Sequence, residues 1–298
     1  MAVINFGSIN IDHVYQVEHF VQPGETIGSH NYQMLLGGKG ANQSIALAKA
    51  GTDVKHVGRI NNHDAQFKQT MIKQGIDCKF VVCSDAPTGH AIIQVTPSGE
   101  NAIVLFGGAN QEITHKDVLH ALDSASPGDW VLTQNETSGI EDVLVQAKQH
   151  GLNVAFNPAP MTDSVKQLPH ECIDLLIVNE VEAAEIAGVS DLDQIEAYFR
   201  NDWPHAEVLV TLGKAGVRML MKEQTIDVPA YLVEAVDTTA AGDTFIGYFL
   251  SAYTNSGDAQ KSLSRACAAS ALAVTRVGAA QSIPDVEEVD KFIAAQAG

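Results

Sequence analysis

Short apolar runs ending in glycine or asparagine alternate along this chain with longer stretches whose apolar positions recur at helical spacing. The first run, 2–7 (AVINFG), has the form of a buried parallel strand whose carboxyl end opens on a ligand crevice. Segments 13–21 and 27–36 flank Pro23-Gly24-Glu25-Thr26, a turn sequence, and predict a β-hairpin. A helix then runs from the glycine-rich stretch at 37–40 to Ala50 and is closed by Gly51, followed by a strand over 54–60 and a helix over 64–74. Segments 88–96 and 101–106, around Pro97-Ser98-Gly99-Glu100, predict a second hairpin. From Thr114 the rhythm is regular, with helices at 114–122, 140–150, 180–187 and 192–199 and strands at 130–133, 153–156, 174–178 and 207–212. Two short strands, 217–221 and 224–228, precede helices at 241–253, 258–276 and 285–295.

Such alternation predicts an α/β fold with a mostly parallel central sheet wrapped by helices. The two hairpins, about 11–36 and 88–106, break the crossover rhythm, so they are assigned to a small β-sheet that covers one face as a lid. The whole chain, 1–298, is then one domain with an insertion. No apolar run is long enough for a bilayer and no basic leader precedes the first strand, which makes the cytoplasm the expected compartment. Cys78, Cys83, Cys172 and Cys267 are scattered without a CxxC pair, which suggests neither a zinc site nor a disulfide framework. A formal net charge of −18 opposes general affinity for nucleic acid, and an anionic substrate needs local help.

That help is concentrated in a few places. Ala240, Ala241 and Gly242 are small and open a helix, where backbone N–H groups lack intrahelical partners and favour an anion. Asp243, among them, either caps the helix or accepts a proton from a hydroxyl attacking a bound phosphoryl group. Asn10 and Asp12 alternate with Ile9 and Ile11 and point to one side of an extended segment, as a hydroxyl-binding pair or as a polar loop. Gly37-Gly38-Lys39-Gly40-Ala41-Asn42 departs from the Walker pattern, since Gly40 follows Lys39 where Ser or Thr is needed; its glycines permit close approach to something small, with Lys39 and Asn42 as fixed polar groups. Polar residues also cluster after strands: Asn135 and Glu136, Asn157, Asn179 and Glu182, Thr211 and Gly213. Cys267 stands apart from the small residues around it as a candidate to face a nucleotide.

GSINID, GGKGANQS, NEVE, TLGKAG and DTTAAGD together resemble the ribokinase family of sugar kinases over nearly the whole chain. The resemblance implies a three-layer ribokinase-like fold with a small β lid that also clasps a homodimer, and ATP-dependent phosphorylation of a sugar hydroxyl, with ribose and its C5 hydroxyl as first choice. By position it implies sugar contacts from Asn10, Asp12, Gly38, Lys39, Asn42 and Glu136, with Asp243 as general base. Nucleotide contacts fall on Asn179, Thr211, Gly213, Gly216, Gly242 and Cys267, and Glu182 joins a magnesium and phosphate network. Potassium is implied beside the anion hole, at Asp237, Thr239, Ala273, Arg276, Gly278 and Ser282. Ile246, Tyr248, Asn135 and Cys267 depart from the family's usual residues and bear on the sugar and on adenine packing. The rivals are a kinase of the same family for deoxyribose, fructose or a nucleoside, and a non-catalytic sugar-binding protein. A nicotinamide dehydrogenase is weaker, because the first strand lacks GxGxxG.

Overall fold

The computed structural model describes residues 1–296. The chain opens with β1 (Ala2–Phe6), crosses into β2 (Asn10–Gln16) and β3 (Asn31–Gly37), and enters α1 (Lys39–Lys49). Next come β4 (Asp53–Asn61), α2 (Ala65–Lys73), β5 (Asp77–Ser84), β6 (Gly89–Val95) and β7 (Asn101–Phe106). The regular part follows as α3 (His115–Leu122), β8 (Trp130–Gln134), α4 (Ile140–Gln149), β9 (Asn153–Asn157), β10 (Leu175–Asn179), α5 (Glu180–Ala187) and α6 (Leu192–Asp202). It closes with β11 (Glu207–Thr211), β12 (Val217–Leu220), β13 (Thr225–Val228), α7 (Ala241–Ser256), α8 (Ala259–Val274) and α9 (Val286–Gln296).

Nine strands form one sheet in the order β13-β12-β11-β10-β9-β8-β1-β4-β5, parallel except where β12 and β13 fold back antiparallel. The sheet grows from β1 toward β4 and β5, then resumes at β8 on β1's other side. The order therefore reverses between β1 and β8, the place where such sheets leave a crevice at the strands' carboxyl ends. Alternation along each strand splits the core between the two faces. Val3, Val54, Leu132 and Ala155 pack toward α1, α7 and α8, whereas Ile4, Val57, Val131 and Val154 pack toward the helices α3 to α6.

The second sheet, in the order β3-β2-β6-β7, joins two antiparallel hairpins through a parallel β2–β6 pairing. Its first hairpin differs from the sequence expectation. Residues 17–30 form a long connection instead of a tight turn at Pro23, and β2 begins at Asn10, so Asn10 and Asp12 belong to a strand. At the base, Gly37 pairs beside Asn10, and a Cβ on Gly37 would lie 2.0 Å from Asp12 Oδ2, so a larger residue would displace the Asp12 carboxylate. β5, absent from the sequence reading, is an edge strand whose alternation breaks at a register shift opposite Lys55 and Val57.

Candidate active site

The crevice between β1 and β8 collects the polar groups. Ser8, just past β1, donates its hydroxyl to Glu136, and Lys39 N–H at the start of α1 donates to the same Glu136 Oε2 at 3.0 Å. The turn into α1 depends on two glycines. Gly38 sits at φ 92°, and a Cβ on Gly40 would lie 2.3 Å from Ser8 N and 2.4 Å from Gly7 Cα. The close approach that the glycine run allows is thus partly to the protein itself, Gly37 to Asp12 and Gly40 to Gly7, and not solely to a ligand. Asn10 Oδ1 accepts from Asn110 Nδ2 at 2.7 Å, and Asn110 Oδ1 accepts from Ile9 N–H at 3.0 Å. Asn110, fully buried in the turn after β7, was missed by sequence reasoning; it stands in the polar run Asn110-Gln111-Glu112, where nothing in the sequence marks it as buried.

Asp243 lies in the first turn of α7 and is 8% exposed. It does not cap the helix. Ala240 holds the cap position in a left-handed conformation, φ 57°, and no side chain bonds the free end. Asp243 Oδ2 instead accepts from Asn42 Nδ2 at 3.0 Å and Oδ1 from Gln43 Nε2 at 2.9 Å, both on α1. Of the small residues expected to offer N–H groups, Ala241 is already used, donating to the Thr238 carbonyl at 3.2 Å. Among the described residues no acceptor meets Gly242 N–H or Asp243 N–H, and a Cβ on Gly242 would touch nothing within 4 Å. Gly242 N–H and Asp243 N–H are therefore free donors in the first turn of the helix, Gly242 being one of the three the sequence suggested.

Two cavities meet at this helix start, sharing Thr211, Thr238, Ala241 and Gly242. One, of 210 Å³, is lined by Lys39, Asn179, Glu182, Asp243 and Ile246. The other, of 460 Å³, is more apolar and is lined by Gly213, Gly216, Leu232, Phe245, Cys267 and Ser270. A larger open cleft of 780 Å³ beside α4 includes Asn135 and Thr137 but none of the carboxylates near Lys39. Gly216 has a structural reason as well, since a Cβ there would lie 2.1 Å from the Val228 carbonyl. Asn179 and Glu182 form a reciprocal cap on α5: Glu182 N–H donates to Asn179 Oδ1 at 2.8 Å, and Asn179 N–H donates to Glu182 Oε2 at 3.0 Å. Burial pushes the Cys267 thiol up to about 12, so it presents a neutral, weakly polar wall.

The charges are uneven. Burial raises Asp243, Glu136 and Glu182 above the usual carboxylate range, against the pull of Lys39. Burial, aided by Glu136, raises Asp12 to about 6. Burial alone would lower Lys39, but Asp243, Glu136 and Glu182 outweigh it and hold the ammonium protonated. One cation among four carboxylates suits a polyhydroxylated neutral ligand, whose O–H groups donate to carboxylates. A polyphosphate entering from Gly242 would be repelled by these carboxylates, a repulsion that a bound cation would offset.

Beside the α7 start, Asp237 draws two turns together. Its Oδ1 accepts from Thr239 N–H at 2.9 Å and from the Thr239 hydroxyl at 2.6 Å, and its Oδ2 accepts from Gly278 N–H at 2.9 Å. Burial opposes these bonds but is outweighed, and Asp237 stays below the usual carboxylate range. Arg276 directs its guanidinium away to Glu288 at 2.7 Å, leaving only its backbone to this region. The Ala273 carbonyl accepts from Arg276 N–H at 3.1 Å, and buried Ser282 bonds the Ala279 carbonyl at 2.8 Å. Among the described residues there is no group of three or more His, Cys, Asp or Glu able to hold a metal. The donors available here are hard oxygens, one of them a carboxylate, which suit a hard cation better than a transition metal.

Comparison with known proteins places the whole chain among carbohydrate kinases. The pattern of the pfkB family of carbohydrate kinases matches residues 2–286. The chain is 37% identical to a ribokinase of Haemophilus influenzae, covering 96% of each, and 38% identical to one of Staphylococcus aureus, covering 97% of this chain and 98% of that one. An Arabidopsis thaliana ribokinase complexed with ribose and ATP superposes with a TM-score of 0.88 at 30% identity, over 98% of this chain and 99% of that one. With its switch-point crevice, its two cavities meeting at Gly242 and this breadth of likeness, the chain belongs to the pfkB family of carbohydrate kinases.

Proposed function

We propose that the protein transfers the γ-phosphoryl group of ATP to the C5 hydroxyl of D-ribose, giving ribose 5-phosphate and ADP. The observation that carries this reading is Asp243, a buried carboxylate fixed by two α1 amides at the junction of a polar and an apolar cavity, beside the open N–H groups of Gly242 and its own backbone. Full-length likeness to ribokinases at 37% and 38% identity supports ribose as the acceptor.

Ribose lies against Asn10, Asp12, Gly38, Lys39, Asn42 and Glu136. Asp12 and Glu136 accept from its hydroxyls, while Lys39 and Asn42 donate. Asp243 takes the C5 hydroxyl proton as the oxygen attacks the γ-phosphorus. The bond to the β-phosphate oxygen breaks, and its electrons leave with ADP. Gly242 N–H and Asp243 N–H, at the positive end of α7, hold the charge spreading over the transferring oxygens. The apolar cavity takes the nucleoside, with Thr211, Gly213 and Gly216 along one wall and Cys267 on the other. Asn179 and Glu182 lie in the polar cavity on the phosphate side, where Glu182 would hold Mg²⁺ through water; the ion supplies charge neutralisation to the phosphates. Potassium would be held by Asp237 and by carbonyls of Thr239, Ala273, Arg276, Gly278 and Ser282, and would fix the loop that shapes the anion hole. ATP supply places the reaction in the cytoplasm.

The small sheet serves as a lid within a single domain, because it carries Asn10 and Asp12 on one strand of its own. It also exposes Tyr32, Met34, Ile92, Ile103, Leu105 and Phe106, an apolar surface that a second copy of the chain would cover to form a homodimer. ADP release over a panel of ribose, deoxyribose, fructose and nucleosides, in potassium and again in sodium, tests the reading. Ribose is expected to give the highest kcat/KM, with potassium raising it. Faster turnover of a nucleoside or fructose would replace the acceptor while leaving the kinase chemistry in place.

A further inference from the structure

We propose that Gln43 is a positioning residue for phosphoryl transfer, holding Asp243 in its proton-accepting orientation, and that Gln43 is itself held by a buried chain of side chains whose polarity three backbone carbonyls dictate. The proposal rests on the reading of Asp243 as the base.

An amide side chain can present either its oxygen or its nitrogen, and only the nitrogen end of Gln43 can donate to Asp243. Which end faces the carboxylate is decided several residues away. Asn5 Nδ2 donates to the Gly40 carbonyl and to Ser44 Oγ, both at 2.8 Å. A carbonyl can only accept, so Asn5 has one orientation and turns its oxygen toward Gln134. Gln134 Nε2 donates to Asn5 Oδ1 at 2.9 Å and, with its second hydrogen, to Gln43 Oε1 at 2.8 Å. Gln43 must then turn its nitrogen to Asp243 Oδ1 at 2.9 Å.

A second carbonyl enforces the same sense. His56 Nε2 faces the Gly7 carbonyl at 3.1 Å and so carries the proton, which leaves Nδ1 to accept from Ser44 Oγ at 2.8 Å. Ser44 Oγ must then accept from Asn5. Asn157 adds a third constraint: its nitrogen donates to the Ile177 carbonyl at 2.9 Å, leaving its oxygen for Gln43 Nε2 at 3.3 Å. Asn5, Gln43, Ser44, Gln134, Asn157 and His56 are all buried. Among the described residues Gln134 Oε1 has no partner, as expected if Gln134 is placed for its two donors.

The groups facing Asp243 divide by sign. Lys39 and the amides of Asn42 and Gln43 favour its ionised form, whereas burial and Glu136 disfavour it; Glu182 acts on Lys39, and His56 lies neutral at the far end of the chain. Removing the donor from Gln43, or freeing Gln43 to turn its oxygen inward, leaves the carboxylate less stabilised and its proton acceptance displaced to higher pH.

The test compares Gln134→Met with Ser44→Ala. Gln134→Met removes the one donor that reaches Gln43 Oε1, together with the bond to Asn5, without touching either substrate, and leaves Gln43, apart from Asp243 itself, held only by the longer 3.3 Å bond to Asn157. Ser44→Ala breaks the network beyond the point where the Gly40 carbonyl already pins Asn5. Both variants are expected to lose thermal stability. Only Gln134→Met should lower kcat, by roughly tenfold or more, and move the acid limb of the kcat–pH profile up by about one pH unit, with KM for ribose and ATP within about threefold of wild type. Gln43→Glu, which keeps the bond from Gln134 but sets a second carboxyl against Asp243, should move the limb further in the same direction, and it serves if Gln134→Met does not fold. A wild-type acid limb in both Gln134→Met and Gln43→Glu overturns the proposal. Asp243→Asn, measured alongside, separates the two readings: if it turns over normally the base assignment fails, and if it is inactive while the other profiles stay unmoved, only the positioning role fails.

Discussion

Burial withdraws solvent from Asp243, and its neighbours decide what the carboxylate does instead. Both oxygens are held by neutral amide donors, so neither is neutralised by a direct ion pair. Lys39 supplies a charge that favours the ionised form without outweighing burial. A carboxylate so placed keeps lone pairs free for a proton while its direction is fixed. In Asp243→Asn the new amide can take no proton, and its nitrogen end would meet the donors of Asn42 or Gln43. The expected result is a kcat lower by ~10²–10⁴ with ribose and ATP still bound, read by ADP release and by calorimetry. Near-normal turnover by the folded variant would exclude Asp243 as the base.

At the scale of elements, the join between β3 and α1 is where backbone conformation controls the site. Gly38 takes φ 92° and ψ 134°, a region essentially closed to other residues, and a Cβ there would lie 2.9 Å from Asn10 N. Gly51, after the same helix, has φ 91° with nothing within 4 Å of an added Cβ. Gly38→Ala is therefore expected to destabilise the protein by about 2–4 kcal/mol and to raise KM for the sugar, whereas Gly51→Ala should cost about 1 kcal/mol and leave KM unchanged. Urea melts and initial rates check both, and an unaltered sugar KM in a folded Gly38→Ala protein would detach the glycine run from the sugar pocket. Much of this element plan is legible in the sequence, because apolar runs between βα turns announce strands and the capping patterns announce helices. Two kinds of feature are not. β5 changes face at a register shift, so no single period describes it. Asn5, His56, Gln134 and Asn157 interrupt apolar strands on the face that packs toward α1, and strand periodicity treats each as an isolated polar residue. Only the packing of α1 across four strands shows that they form one network ending at Asp243.

Across the whole molecule, buried ionisable groups of opposite sense act over the same range of pH. Asp12 is raised to about 6 by burial and by Glu136, so its ionisation opposes folding in the empty protein. That opposition is complete above about 6 and vanishes as pH falls toward the unfolded value of 3.8. His56 is lowered to about 4 by burial, although its bond to the Gly7 carbonyl partly counters this; its contribution is present above 6.5 and is lost as pH falls toward 4. Each difference is worth on the order of 3 kcal/mol at most, and between pH 6 and 4 the two largely offset one another. Glu136, Glu182 and Asp243 share the sign of Asp12. All of them remain in Asp12→Asn, so the difference between the two stability curves reports Asp12 together with its coupling to Glu136. The variant is expected to be more stable than the wild type at pH 8, with the gap closing as pH falls through 6 toward 4, while ribose phosphorylation is severely weakened. Urea denaturation of the sugar-free proteins at pH 8, 6, 5 and 4 measures it. A variant less stable than wild type at pH 8 would mean that Asp12 serves the fold. The expected gain would mean instead that Asp12 is kept ionised and buried, against the interest of the fold, to receive a hydroxyl.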